Sequence, residues 1–152
     1  APLLADPARL SLKWPNDLLV GRAKLAGILL EREGDAVIVG IGVNLARAPD
    51  VEGRDTIALS AFGPAPDRDS FAQALSASFD RELDRWRTVG IEPLLRRWQA
   101  ASHPPGSPLS IHEPGGNMVS GTFAGLAEDG SLLLRLEDGT TRPIHAGDVM
   151  LG

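Results

Sequence analysis

The stretch Lys13-Trp14-Pro15-Asn16-Asp17-Leu18-Leu19-Val20-Gly21-Arg22-Ala23-Lys24-Leu25-Ala26-Gly27-Ile28-Leu29-Leu30, with Val37-Ile38-Val39-Gly40-Ile41-Gly42-Val43-Asn44 after it, decides how the chain folds. Two apolar runs of β type, Leu25 to Leu30 and Val37 to Val43, flank Glu31-Arg32-Glu33-Gly34-Asp35, a polar turn with glycine. They read as an antiparallel hairpin. A shorter strand, Leu18 to Val20, precedes Gly21-Arg22, a two-residue turn with glycine first. That turn pairs Val20 with Ala23 and Leu19 with Lys24. Side chains alternate across a strand, so Asp17, Leu19 and Lys24 share a face. Asp17 and Lys24 become diagonal neighbours, with Cβ atoms about 7–8 Å apart.

The second strand of the main hairpin carries Val39, Ile41 and Val43 on one parity, suited to a core, and Gly40, Gly42 and Asn44 on the other. Two alternate glycines strip two Cβ atoms from one face, so a ligand or another backbone can approach. Spacing leaves both readings open. Asn44, at the end of that floor, can donate and accept.

Working outward, Leu10, Leu12 and Trp14 alternate as in a strand, and Pro15 should end it, presenting Asn16 and Asp17 at a strand end. Residues 45 to 69 contain Pro49, Gly53, Gly63, Pro64 and Pro66 and read as a long connection, with Thr56 to Phe62 a short piece docked on the sheet. A helix capped by Asp69 or Ser70 should follow, with Phe71, Leu75, Phe79, Leu83 and Trp86 on its apolar face. Gly90 stops it. A second helix, about Ile91 to Ala101, should bury Leu94, Leu95 and Trp98 before the linker His103-Pro104-Pro105-Gly106. Beyond Gly106 the period becomes 2. About five short strands, with turns at Glu128-Asp129-Gly130 and Asp138-Gly139, suggest a small SH3-like barrel, a shape that serves many functions.

The chain of 152 residues is 43% hydrophobic and carries a net charge of −5. That balance disfavours a nonspecific nucleic-acid binder. Zero cysteines exclude disulfides and cysteine nucleophiles and fit a cytoplasmic protein. No run approaches the roughly 18 apolar residues of a membrane span. His103, His112 and His145 have no metal-ligand spacing, and Gly115-Gly116-Asn117 is a hairpin loop with no helix after it to make a phosphate site.

Three blocks, Lys13-Trp14-Pro15-Asn16-Asp17, Lys24-Leu25-Ala26-Gly27-Ile28-Leu29 and Gly40-Ile41-Gly42-Val43-Asn44, resemble in order and spacing the consecutive motifs of biotin–protein ligases. The tail resembles that family's C-terminal domain, so the likeness covers essentially the whole chain. Lipoate–protein ligases share the general fold, but Lys-Trp-Pro-Asn-Asp points to the biotin branch. The resemblance implies an α+β fold: a mixed, largely antiparallel sheet with helices over residues 1–105, the C-terminal part of the catalytic domain, then an SH3-like domain over 106–152. The family's glycine- and arginine-rich loop precedes the first block, and no counterpart is expected in this sequence. An N-terminal DNA-binding domain, found in some members, lies outside its reach.

By resemblance, the activity is ATP-dependent activation of biotin to biotinyl-5′-AMP and transfer of biotin to a lysine of a biotin carboxyl carrier protein, part of acetyl-CoA carboxylase or a related carboxylase. ATP, biotin and Mg²⁺ are the implied small molecules, and a homodimer is a further expectation. Lys24 and Asp17 take catalytic roles. Lys13, Asn16, Gly27, Ile28, Gly40, Gly42 and Asn44 take ligand-binding ones, Asn16 toward the phosphates or their Mg²⁺. From pattern alone, Lys24 is equally an exposed strand lysine, and Asn16-Asp17 an Asx turn after proline. A relative that keeps a biotin or adenylate surface without catalysis is the alternative function.

Overall fold

The structure, a computed structural model, describes residues 10–152. The expected tail at Ala1 to Pro7 lies outside the described residues. Strands β1 (Leu10–Lys13), β2 (Asp17–Val20), β3 (Ala23–Glu33) and β4 (Ala36–Val43) form one sheet in the order β1-β2-β3-β4. Helices α1 (Arg68–Val89) and α2 (Glu92–Ala100) follow. Strands β5 (Pro108–His112), β6 (Met118–Leu126), β7 (Leu132–Arg135), β8 (Thr141–Ile144) and β9 (Asp148–Leu151) form a second sheet in the order β8-β7-β6-β5-β9. The class is α+β. The second sheet has the strand pattern expected of an SH3-like domain, but among the described residues no ladder joins β8 to β9, so its hydrogen bonding does not close into a barrel. No described helix is long and apolar enough to cross a membrane.

Contacts group the chain into two compact units. The first holds Asn16–Arg87 with the start of β1; the second holds Leu12–Pro15 and Thr88–Gly152. The sequence reading divides the chain after Pro105 instead, because the proline-glycine break is the local signal. Contacts place α2 with the second sheet because Trp98 packs on that core.

In the first unit, Gly21-Arg22 turns β2 into β3 with Gly21 at φ +61°, and Leu19 pairs with Lys24 and Val20 with Ala23, as read from sequence. The main hairpin is tighter than expected. Its turn is Gly34-Asp35, with Gly34 at φ +60°, and Glu31, Arg32 and Glu33 continue the ladder opposite Ile38, Val37 and Ala36. A glycine of positive φ at the first turn position matches strand twist, so two residues suffice. The core is Val20, Leu25 and Leu59, with Leu10, Leu18, Val43, Leu45, Ile57, Phe62 and Phe71 against it. Helix α1 is capped by Asp67, not Asp69 or Ser70: its Oδ2 accepts the Ser70 N–H at 2.9 Å. That bond holds the Asp67 carboxyl below the usual range. The apolar face of α1 is incompletely covered. Val39 and Ile41 of β4 face Leu75 and Phe79 across a gap of about 220 Å³, and Trp86 is exposed.

The second unit is built on buried Leu109, Ile111, Phe123, Leu132, Leu134, Ile144 and Val149, together with Trp14. The indole Nε1–H of Trp14 donates to Gly130 O at 3.1 Å. Turns at Asp129 and Asp138 are each closed by the aspartate carboxylate accepting the N–H two residues on, from Ser131 and Thr140, both at 2.9 Å. Leu94, Leu95 and Trp98 of α2 are half-buried rather than fully buried.

Trp14→Ala is expected to lower the stability of this unit by about 3–5 kcal/mol, since it removes a buried ring from the core centre. Trp14→Phe should cost less, about 1 kcal/mol for the lost hydrogen bond plus packing. Urea midpoints of the two variants check the order.

His103 supplies a pH dependence. Its Nε2 is buried without a hydrogen-bond partner. Burial first, then the nearby Lys13 charge, holds its pKa below the usual 6.5. With the folded value depressed, the unfolded chain takes up the proton first. Stability is therefore full above pH 6.5 and is lost as pH falls toward the folded value. Urea unfolding at pH 7.5 and about 5.5 should show a drop for the wild type that His103→Gln reduces.

Candidate functional site

A cleft of about 830 Å³ opens on the first unit, lined by Asn16, Lys24, Gly27, Ile28, Gly40, Gly42 and Asn44, with Pro49, Val51, Arg54 and Thr56 on one wall. The sheet explains why these residues meet. Cross-strand partners share a face, and Gly27 pairs with Gly42 while Leu29 pairs with Gly40. The two alternate glycines of β4 thus lie beside a third on β3, giving a floor of bare backbone.

That floor does not serve close packing of the protein on itself. A Cβ at Gly42 would come no nearer than 4.0 Å to Gly27 O, and one at Gly40 no nearer than 3.7 Å to Leu29 O. The space above both belongs to the cleft. Of the two readings left open by spacing, approach of a ligand is the one this geometry favours.

Gly27 differs. A Cβ there would lie 2.8 Å from Lys24 Nζ and 3.3 Å from Asp17 Oδ1. Lys24 Nζ in turn sits 2.5 Å from Asp17 Oδ1. The ammonium side chain is 33% exposed and lines the cleft; the carboxylate is 7% exposed. The two are neighbours as expected from the sequence, but across a register slip of one residue that sets Asp17 opposite Gly27 and not Ala26.

Asn16 and Asn44 are fasteners as well as lining. The Asn16 side-chain amide donates to Ile28 O, and Asn16 O accepts the Ile28 N–H at 3.0 Å. Asn44 Nδ2 donates to Lys24 O at 3.3 Å and Ile57 O at 3.1 Å. It ties the backbone of Lys24 to the docked segment within the long connection. That segment docks beside β3: Lys24 N–H donates to Asp55 O at 2.8 Å, and Ile57 N–H donates to Lys24 O at 3.0 Å. The expected short piece at Thr56 to Phe62 is a bridge at Thr56 followed by a 3-10 turn at Leu59–Phe62.

Lys13 is not brought to this cleft. Its Nζ donates to Val149 O at 2.9 Å and lies 3.8 Å from Asp148, within the second unit. Sequence reasoning also missed the wall of Pro49, Val51, Arg54 and Thr56. The available signal was the length of a connection immediately after a glycine floor, since long ordered loops commonly carry function.

Comparisons with known proteins fall in the same places. Residues 7–45 match the biotin/lipoate A/B protein ligase family, and residues 110–152 match the biotin protein ligase C terminal domain. The chain is 37% identical to the biotin–[acetyl-CoA-carboxylase] ligase of Mycobacterium tuberculosis, over 99% of this chain and 56% of that protein. It is 40% identical to the enzyme of the same description from Paracoccus denitrificans, over 95% of this chain and 64% of that one. Among solved structures, the biotin protein ligase from Aquifex aeolicus superposes with a TM-score of 0.80 at 25% identity, over 94% of this chain and 65% of that chain. The same protein in complex with biotin and ATP gives 0.79 at 25% identity, over 94% and 62%. The chain thus spans less than two thirds of these relatives.

If the floor faces a ligand and not protein, Gly42→Ala should leave the fold intact and raise stability by about 0.5–1 kcal/mol, the usual gain over glycine in a strand. Thermal unfolding checks it. A lowered midpoint would mean that protein fills the space.

Proposed function

We propose, from the likeness to biotin protein ligases just described, that this chain carries the ligand cleft for joining biotin to ATP and passing it to a carrier-protein lysine. The observation that carries the reading is the glycine-floored cleft with Lys24 in its lining and Asp17 paired to that lysine. Residues 1–105 are taken as catalytic-domain sequence and 106–152 as the C-terminal domain.

In the first step a biotin carboxylate oxygen attacks the α-phosphorus of ATP, and pyrophosphate leaves. Two anions must meet, and charge grows on the phosphoryl oxygens. A positioned cation is the main help a protein gives there. Lys24 is that cation. Gly27, Gly40 and Gly42 let the ligand lie against backbone, while Ile28 offers apolar contact. Arg54 adds a second positive side chain to the lining. Mg²⁺ would be met here by the Asn16 side-chain oxygen and would supply further positive charge for the phosphates. The described residues contain no group of three or more His, Asp or Glu placed to hold a metal, and Mg²⁺ commonly keeps phosphate and water ligands. Asn16 Oδ1 is the protein oxygen that the motif offers it.

In the second step the carrier lysine amine attacks the biotinyl carbonyl, and AMP leaves. A free lysine, pKa about 10.4, is protonated at neutral pH and must lose a proton. Asp17 accepts it. The partner is a biotin carboxyl carrier protein, and the setting is the cytoplasm. A homodimer stays part of the proposal because β4 ends the order of its sheet and exposes Val37, Ile38 and Val39.

In ligase-competent protein, Lys24→Ala should mainly slow adenylate formation and Asp17→Asn mainly slow transfer, each by about 10²–10⁴. Pyrophosphate release reads the first step. Single-turnover transfer from preformed biotinyl-AMP reads the second. Normal transfer by Asp17→Asn would reduce Asp17 to a turn residue.

A further inference from the structure

The two side chains given separate tasks above are in contact. Lys24 Nζ lies 2.5 Å from Asp17 Oδ1; the lysine lines the cleft and the carboxylate is buried. A carboxylate paired with an ammonium is a weaker acceptor for the proton of an incoming amine. An ammonium so engaged has part of its charge already answered.

The register shows how the contact is built. From the Gly21-Arg22 turn, Val20 pairs with Ala23 and Leu19 with Lys24. Between Leu19 and Leu18 the pairing slips by one residue, so that Leu18 faces Ala26 and Asp17 faces Gly27. Without the slip, Asp17 would face Ala26. The slip sets the one residue of the pair that lacks a Cβ opposite the carboxylate, and Lys24 crosses that space. A Cβ at Gly27 would stand 2.8 Å from Nζ and 2.9 Å from Cε.

We infer that Lys24 is shared between two competing anions, the Asp17 carboxylate and a polyphosphate bound in the cleft, and that Gly27 is the positioning residue that lets the lysine reach the first. The identity of the second anion rests on the proposed function. Drawn to the polyphosphate of ATP and then held by the phosphate that stays on the biotinyl adenylate, the ammonium turns away from Asp17. Charge neutralisation and proton acceptance then follow one another instead of opposing one another. The proton that Asp17 receives is the one the incoming ammonium loses.

Calorimetric titration with inorganic pyrophosphate, on the chain and its variants, tests this. Competition requires Asp17→Asn to tighten binding and Lys24→Met to weaken it, each by about 3- to 30-fold, within the range of directly coupled pairs. In the Lys24→Met background, Asp17→Asn should then have no effect. Simple repulsion by the Asp17 charge would tighten binding equally with or without Lys24, and that result overturns the inference. So does Asp17→Asn that leaves binding unchanged or weaker. Gly27→Ala should push the flexible lysine end off Asp17 and tighten binding as Asp17→Asn does; weakening like that of Lys24→Met would remove Gly27 from the argument. Gly27→Ser, with the same Cβ and a polar tip, gives a second reading if the alanine variant does not fold. Absence of pyrophosphate binding by every form also overturns the sharing, and titration with biotin then judges the ligase reading on its own.

Discussion

A carboxylate that is 7% exposed needs a cation beside it, and much of the first sheet is arranged so that Lys24 supplies one to Asp17. Burial of an unpaired charge costs several kcal/mol, so the pair constrains everything that touches it. The turn at Gly21-Arg22 must be two residues long, or Lys24 loses its place opposite Leu19. Leu25 must sink into the core, where it is 3% exposed, for the extra residue on β3 to be accommodated. Gly27 must lack a side chain. Asn44 must hold the Lys24 carbonyl while Asp55 holds its N–H, so that the lysine backbone is fixed on both sides.

The five-residue block at the start of the quoted stretch serves two compact units. Lys13 and Trp14 work in the second, where the ammonium donates to Val149 O and the indole fills a core. Asn16 and Asp17 work in the first, fastened to Ile28 and Lys24. Pro15 stands between them. It cannot donate to a ladder, so β1 ends at Lys13 and β2 starts at Asp17. The residues of one short motif therefore face unrelated tasks. A lysine within it need not be a ligand residue because its neighbours are.

What the sequence made legible follows from local rules. Parity placed Lys24 with Asp17 and separated Val39 and Ile41 from Gly40 and Gly42, because alternation in a strand is a covalent property. Glycine-led turns set two hairpins. What escaped depends on partners distant in sequence. The slip between Leu18 and Leu19 answers to the burial of Leu25, and Lys13 answers to Val149, 136 residues away. The cap of α1 at Asp67 was hidden by two further cap-competent residues, Asp69 and Ser70, and only geometry chooses among such candidates. The wall of Pro49, Val51, Arg54 and Thr56 follows no period at all. It is shaped by single contacts such as Thr56 Oγ1 donating to Pro49 O at 2.5 Å.

The glycines of this sheet do two different jobs, and the difference matters for how such sites are read. Gly40 and Gly42 have room for a Cβ as far as the protein is concerned, so what they leave open is space in the cleft. Gly27 has no such room, because a side chain of the same protein already occupies it. A glycine of the first kind costs backbone entropy with no return in packing, so ligand contact is the reason to keep it. A glycine of the second kind is tied to Lys24 and Asp17 and should be judged with them. Sequence spacing cannot separate the two, since all three line one face. The distance from a hypothetical Cβ to its nearest atom does, and it turns a row of small residues into a floor with one place already taken, by Lys24.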